Sequence, residues 1–398
     1  METYISNKAK GVSPSPTLFL DAKYKQMKKQ GIPVVGFGAG EPDFETPENI
    51  KKAAIQAIND GFTRYTPASG TIELKQAICD KLKRDVNLDY TIENIVVSNG
   101  GKHALTNIFM AICDDGDEVI IPAPYWVSYP EMVKMAGGVP VFMNTTEENN
   151  FKFSPEDLEK HITKKTRALV LNTPSNPTGM VYSKDELEKI AKIAVKNNIY
   201  VIFDEIYEKL VYEGEHFNIA AFGEDIKNLT IVVNGMAKAY AMTGWRIGYT
   251  ASNAAVAKAM SNIQSHATSN PNSIAQAASV EGLNGDQGSI SVMYNEYVKR
   301  RDYMVERINS IDGLSCKKPN GAFYVFMNVK KLLGKEHYGK MMNSASELCE
   351  DILERALVAL VPSEGFGIDG YVRLSYATSM EIIKEGLDRI EKYIKGEY

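Results

Sequence analysis

Residues 166–207 read TRALVLNTPSNPTGMVYSKDELEKIAKIAVKNNIYVIFDEIY, and their alternation sets the fold class. TRALVLNTPSNPTG (166–179) is an apolar strand running into a Pro/Asn/Gly loop. SKDELEKIAKIAVKNN (183–198) reads as an amphipathic helix, with Ser183 at the N-cap and Glu186 three residues later, a capping-box pattern. IYVIFDEIY (199–207) is a second strand, rich in Val, Ile and Phe. Strands that are apolar throughout, separated by amphipathic helices, indicate a mostly parallel sheet covered on both faces.

The same pattern extends outward. ENIVVSNGG (93–101) is a strand and Gly turn, KHALTNIFMAICD (102–114) a helix, and DEVIIPAP (117–124) and NLTIVVNG (228–235) are further strands. The C-terminal third differs: a long helical stretch from Ser273 to about Ile311 precedes strands at GAFYVFMNV (321–329), LVALVP (357–362) and YVRLSYA (371–377). The expected α/β architecture is a large domain over 46–285 with a mostly parallel central sheet covered by helices. A smaller α/β domain occupies 286–398, and residues 1–45, which run into VVGFGAGEPDFETP (34–47), wrap onto it.

Composition narrows the function. The chain has 398 residues, 44% apolar and 24% charged, as a globular protein does, and its net charge of −5 gives no general attraction to nucleic acid or anionic membrane. The lysines of AKYKQMKKQG (22–31) read as a solvated helix face. Cys79, Cys113, Cys316 and Cys349 stand far apart with no CxxC or Cys/His cluster, which argues against disulfides and structural zinc and fits a reducing cytoplasm. METYISNKAKGVSPSPT lacks the apolar run of a signal peptide, and no run approaches the ~18 residues of a membrane helix.

Ligands of open α/β sheets lie outside the carboxyl ends of the strands. At those ends stand Asn99-Gly100-Gly101 after 95–98, Pro124-Tyr125-Trp126 after 118–121, and Asn172…Asn176-Pro177 after 168–171. After 200–203 come Asp204, Glu205 and Tyr207, and after 229–233 come Asn234 and Lys238. Gly-Gly before a helix leaves N–H groups free to meet an anion at the positive end of the helix. Asp204 closes an apolar strand, where an unpaired carboxylate is costly. Lys238 could satisfy it as a structural ion pair, or a ligand could.

NGMAKAYAMTGWRIGY (234–249) carries Lys238 and Arg246 among small and apolar residues. From Ile226 to Val280 there is no Asp or Glu, although 50 acids in 398 residues would place about seven there. The partners of these cations therefore come from elsewhere in the fold or from a bound anion, which a guanidinium can hold through two parallel N–H bonds. Arg373, inside YVRLSYA, either faces solvent or points into the cleft between the domains to clamp an anion. The residues together suit an anionic ligand that carries a phosphate.

Seven segments in order, AGEPDFETP, TRYTPASG, PYWVSYPEM, NTPSNPTG, DEIY, NGMAKAYAMTGWRIGY and VRLSYATS, resemble the signatures of class I aminotransferases, which use pyridoxal 5′-phosphate (PLP). The resemblance covers nearly the whole chain, and within the family it is greatest to bacterial aspartate aminotransferases with a GGK motif. It implies that Lys238 binds the cofactor aldehyde and later carries the substrate proton. Asp204 would pair with the ring nitrogen, Tyr207 and Asn176 with the 3′-oxygen, and Trp126 would stack on the ring. Arg246 and the Gly100–Gly101–Lys102 turn would hold the phosphate, and Tyr65 would reach the phosphate of a neighbouring subunit, which implies a homodimer.

Arg373 with Gly40 would clamp the α-carboxylate of an amino acid or 2-oxo acid, with Trp126 and Asn176 bordering it. Lys102, helped by Ser15 and Thr17, would meet a distal carboxylate. A lysine in a first helical turn is otherwise mildly disfavoured by the helix dipole. Ala237 departs from the Ser that many relatives carry, and Gly235 from a phosphate-binding Ser, which shifts the phosphate load to Arg246, Ser98 and the Gly turn. Transfer of the amino group of aspartate to 2-oxoglutarate is the leading expectation. An aromatic or prephenate aminotransferase, a carbon–sulfur β-lyase and a non-catalytic PLP-binding regulator are the alternatives.

Overall fold

The computed structural model describes residues 4–13 and 16–398, the side chains of 16–22 excepted. Its larger sheet has seven strands: β1 (Ile95–Ser98), β2 (Glu118–Ala123), β3 (Val139–Asn144), β4 (Thr166–Asn172), β5 (Tyr200–Asp204), β6 (Thr230–Gly235) and β7 (Gly248–Ala251). Their order is β1-β7-β6-β5-β4-β2-β3. All neighbours are parallel except those of β7, which runs antiparallel to β1 and β6.

Side chains alternate between two covered faces. Leu169, Leu171, Val201 and Phe203 pack with Leu187, Ile190 and Ala194, while Val170 and Ile202 pack on the other face with Leu105, Ile108 and Phe109. The helix on the second of these faces is α1 (Gly101–Ile112), and that on the first is α2 (Lys184–Asn197). The expected capping box is present: the Ser183 N–H donates to Glu186 Oε2 at 2.7 Å, and the Glu186 N–H to Ser183 Oγ at 3.4 Å. β3 and β7 are not among the strands read from the sequence. β3 is a half-exposed edge strand, and β7 is the short GYTA, whose small residues carry little apolar signal.

A second, antiparallel sheet contains β8 (Ser315–Cys316), β9 (Tyr324–Asn328), β10 (Val361–Pro362) and β11 (Tyr371–Ser375) in the order β10-β11-β9-β8. The helices α3 (Gly288–Ser310), α4 (Ala345–Ala356) and α5 (Met380–Ile394) cover it with Met304, Ile308, Leu348, Ile352, Leu387 and Ile390. LVALVP is not the single strand expected from its apolar run. Val358–Ala359 pairs in parallel with Val35–Gly36, and Val361–Pro362 joins β11. The N-terminal segment supplies the partner for the first half, and buried Phe37 extends the ladder to Ala359 and Ser375. The helical text after Ser273 is likewise two helices, Ser273–Asn284 and α3, broken around Gly285. Among the described residues no helix is long and apolar enough to cross a membrane.

Gly248 lets β7 touch the turn before α1: a Cβ there would lie 2.3 Å from Gly101 N and 2.4 Å from Gly100 C. Neither backbone can yield cheaply. Gly248→Ala is expected to lower stability by about 1–3 kcal/mol, read as a lower urea midpoint. An unchanged midpoint would show that the contact relaxes freely.

Candidate active site

The carboxyl ends of β1, β4, β5 and β6 open into a cavity of about 490 Å³, in the size range of small-molecule sites. Gly40, Gly101, Lys102, Trp126, Asn176, Asp204, Tyr207, Lys238, Arg246 and Arg373 all line it. The sequence expectation therefore converges on one place from both sheets. Gly100 lies against it under Arg246, whereas Tyr65 is 92% exposed and stands outside. Ser15 lies outside the described residues, and Thr17 is described only as part of the helix Pro16–Lys29.

Asp204 is the last residue of β5, in register with Asn172 of β4 and Val233 of β6. It is buried and accepts from the Tyr129 hydroxyl at 2.7 Å and the Ile206 N–H at 3.2 Å. It makes no ion pair with Lys238 among the described residues, so the structural Asp204–Lys238 bridge is not formed. Burial pushes its carboxyl up to about 6, partly opposed by the Tyr129 hydrogen bond.

Lys238 stands just beyond β6 and donates through Nζ to the Gly40 carbonyl oxygen, with the rings of Tyr207 and Phe323 at 5.8 and 5.7 Å. Burial, and then the charge of Arg373, pulls its amine down to about 8, so a reactive neutral fraction exists near neutral pH. Arg246 sits at φ +60°, a left-handed conformation that costs a non-glycine residue roughly 1–2 kcal/mol. Its guanidinium donates to Thr243 O at 2.9 Å and Asn99 O at 3.3 Å. Gly100, at φ +87°, leaves no room for a side chain: its Cβ would come within 2.3 Å of Arg246 Nη2. The guanidinium thus lies beside the opening N–H groups of α1.

Arg373 is buried, not solvent-facing, and donates to Asn176 Oδ1 at 3.1 Å and Gly38 O at 3.0 Å. Its guanidinium is 4.5 Å from the Tyr324 ring centroid and 5.3 Å from that of Phe366, and its Nε is buried with no hydrogen-bond partner. Lys102 stands 5.1 Å over the Trp126 ring, and burial followed by the Arg246 charge lowers its pKa. Among the described residues none of Lys102, Lys238, Arg246 and Arg373 is ion-paired to a carboxylate. Ser98 is turned away: buried, it donates to Gln264 Oε1 at 2.6 Å.

A model of the family "Aminotransferase class I and II" matches residues 32–390. The chain belongs to the class I and II aminotransferases. It is 48% identical over 396 residues to the aspartate aminotransferase of Bacillus sp. (strain YM-2), covering 99% of this chain and all of that one. It is 49% identical to a probable aspartate/prephenate aminotransferase of Rickettsia felis, over 98% of this chain and 96% of that one. Aspartate aminotransferase from Rhizobium meliloti superposes with a TM-score of 0.96 at 42% identity, over 99% of both chains.

The cavity of this aminotransferase is also bordered by Tyr129, Lys25 and Tyr324, which the sequence pattern does not single out as site residues. Tyr129, which donates to Asp204, lies in the first turn of the helix Ser128–Met135, and its N–H donates to the Trp126 carbonyl oxygen at 3.1 Å, so the turn after Trp126 carries it to the cavity. Asn172 donates through Nδ2 to Asp204 O at 2.9 Å and accepts the Asn176 N–H at 2.8 Å. Lys25, read as part of a solvated helix face, borders the cavity, as does Tyr324 of β9.

The buried carboxylate gives a signed pH dependence. A carboxyl at about 6 when folded and 3.8 in its ordinary state disfavours the native form wherever it is ionised. Without added cofactor, Asp204→Asn is therefore expected to be more stable than wild type at pH 8, by up to about 3 kcal/mol. The gap should close as pH falls from about 6 to about 4. Denaturant melts at both ends check it, and a wild type more stable at pH 8 would contradict the assignment.

Proposed function

We propose that this aminotransferase is a PLP-dependent aspartate aminotransferase that moves the amino group of L-aspartate to 2-oxoglutarate, giving oxaloacetate and L-glutamate in two half-reactions. The observation that carries the reading is one cavity in which Lys102, Arg246 and Arg373 stand with no ion pair among the described residues, together with a partly neutral Lys238, around a buried carboxylate. Relatives named aspartate aminotransferase at 45–48% identity over nearly the whole chain support the substrate.

The donor set suits the cofactor. Arg246, pressed on Gly100 beside the N-terminus of α1, would hold the phosphate with the N–H group at Gly101, since that of Gly100 donates to Ser98 O at 2.7 Å. Asp204 would keep a proton on the ring nitrogen, which supplies the desolvated carboxylate with a cation. Asn176 already spends its carbonyl on Arg373, so its NH2 is the group left to donate to the 3′-oxygen with Tyr207. Trp126 would cover the ring face. Bound PLP supplies an aldehyde for the amino group and an electron-accepting ring.

The chain's own groups do the rest. Arg373 would bind the substrate α-carboxylate, where the unpartnered Nε is one donor in waiting. Lys238 Nζ, with its pKa near 8, would remove and return the proton at the substrate Cα. Lys102 would meet the distal carboxylate of a dicarboxylic substrate. A range that includes prephenate is the second reading, carried by the aspartate/prephenate relatives.

We also take the working unit to be a homodimer with Tyr65 serving the neighbouring site. Tyr65 is exposed, and so are Ile55, Ile58, Phe62 and Ile72 along the same stretch of chain, which suits a second copy of this surface. Residues 46–285 would form the cofactor domain, and 286–398 with 1–45 the smaller one, supported by the pairing of Val35–Gly36 with Val358–Ala359.

Lys238→Ala is expected to abolish both the visible absorbance that PLP gains on binding and turnover; retention of both would sink the proposal. Lys102→Ala is expected to raise KM for aspartate and glutamate about tenfold or more, the worth of one charge-assisted hydrogen bond, with much less effect on aromatic amino acids. Steady-state kinetics with a panel of donors checks this, and an equal loss for both classes would remove Lys102 from substrate choice.

A further inference from the structure

Tyr324 belongs to β9 of the small sheet, yet it reaches the cavity between two groups of the proposed site. Its hydroxyl is 2.9 Å from the hydroxyl of Tyr207, and its ring lies 4.5 Å from the Arg373 guanidinium. Both tyrosines are buried. The strand register explains the second contact: Tyr324 faces Ser375 and Phe326 faces Arg373, so Arg373 stands two residues along the neighbouring strand. On the cavity side Gly40 borders the Tyr324 hydroxyl, which a Cβ there would meet at 3.6 Å, an ordinary contact.

We infer that Tyr324 is a positioning residue with two separable tasks: its hydroxyl donates to Tyr207 and commits the Tyr207 proton to the cofactor, and its ring supports Arg373. The inference rests on the PLP reading above. Each tyrosine hydroxyl carries one proton. If Tyr207 gives its proton to the 3′-oxygen, the proton between the two hydroxyls belongs to Tyr324. Burial raises the pKa of both, so both remain protonated donors across the working pH range. A hydroxyl that accepts a hydrogen bond donates its own proton more strongly, because the two bonds polarise one another.

This arrangement acts at a distance on Lys238. A strong donor at the 3′-oxygen favours negative charge on that oxygen, and with it loss of the proton from the cofactor-linked Lys238 nitrogen. Tyr324→Phe removes the donor and keeps the ring. Tyr324→Leu removes both. The ring contact is a cation–π interaction within a desolvated site, where such contacts are strongest.

The test is a pH titration of the visible absorbance of the PLP-loaded protein, paired with steady-state kinetics. Tyr324→Phe is expected to raise the titration midpoint by roughly 0.3–1 pH unit, the worth of one net hydrogen bond, while KM for the amino acid stays within about twofold. Tyr324→Leu is expected to raise that KM about tenfold in addition. In a Tyr207→Phe background, Tyr324→Phe should produce no further shift.

An unchanged midpoint in Tyr324→Phe, or the same shift persisting in the Tyr207→Phe background, would overturn the hydroxyl's role. An unchanged KM in a folded Tyr324→Leu would overturn the ring's role. Failure of wild type to gain visible absorbance with PLP would instead overturn the cofactor reading itself. A wild type that binds PLP normally while Tyr324→Phe does not shift leaves that reading standing and removes only this inference.

Discussion

A carboxylate at the end of a strand buried on both faces is the constraint that organises this structure. Asp204 closes β5 directly after Ile202 and Phe203, which are committed to opposite cores. Two neutral hydrogen bonds, from Tyr129 and the Ile206 N–H, do not offset the loss of water, and the carboxyl stays high at about 6. Among the described residues it has no ion pair, and the charge of Lys238 offsets its burial only weakly, so its environment favours a further cation. The same cavity holds Lys102, Lys238, Arg246 and Arg373 with no ion pair to a carboxylate among the described residues. One ligand with a cationic ring and an anionic phosphate would answer both deficits, and a second with a carboxylate would answer Arg373.

The fold serves this arrangement by close approach. Gly248 brings β7 onto the turn before α1, and Gly100 lets the Arg246 guanidinium settle beside the first N–H groups of that helix. These contacts place a charge, a helix terminus and a strand end within one small volume. The second sheet then adds Arg373 and Tyr324 from β11 and β9, so the site is assembled from both units. Backbone oxygens of the N-terminal segment tie the halves together, since Gly38 accepts from Arg373 and Gly40 from Lys238.

Much of this is legible in the sequence because local rules decide it. The Ser183–Glu186 capping box, the continuous apolar runs of β4 and β5 and the Gly turn before α1 each carry their own signal. The acid-free interval from Ile226 to Val280 likewise shows on sequence grounds that the partners of Lys238 and Arg246 come from elsewhere in the fold or from a bound anion. The illegible parts depend on distant partners. GYTA has too little apolar content to declare β7, and LVALVP cannot reveal that residues near Val35 will take half of it. Ser98 ends a strand like the other site residues, but Gln264, far along the chain, claims its hydroxyl. Tyr324 looks like one more apolar strand residue until Tyr207 lies beside it.

The central claim is that Lys238, and no other lysine of the cavity, binds PLP covalently. The most direct measurement is borohydride reduction of the PLP-loaded protein and then peptide mapping by mass spectrometry. A phosphopyridoxyl group is expected on the peptide that contains Lys238 and on no other. A modification found on Lys102 or Lys25, with Lys238 unmodified, would refute the claim.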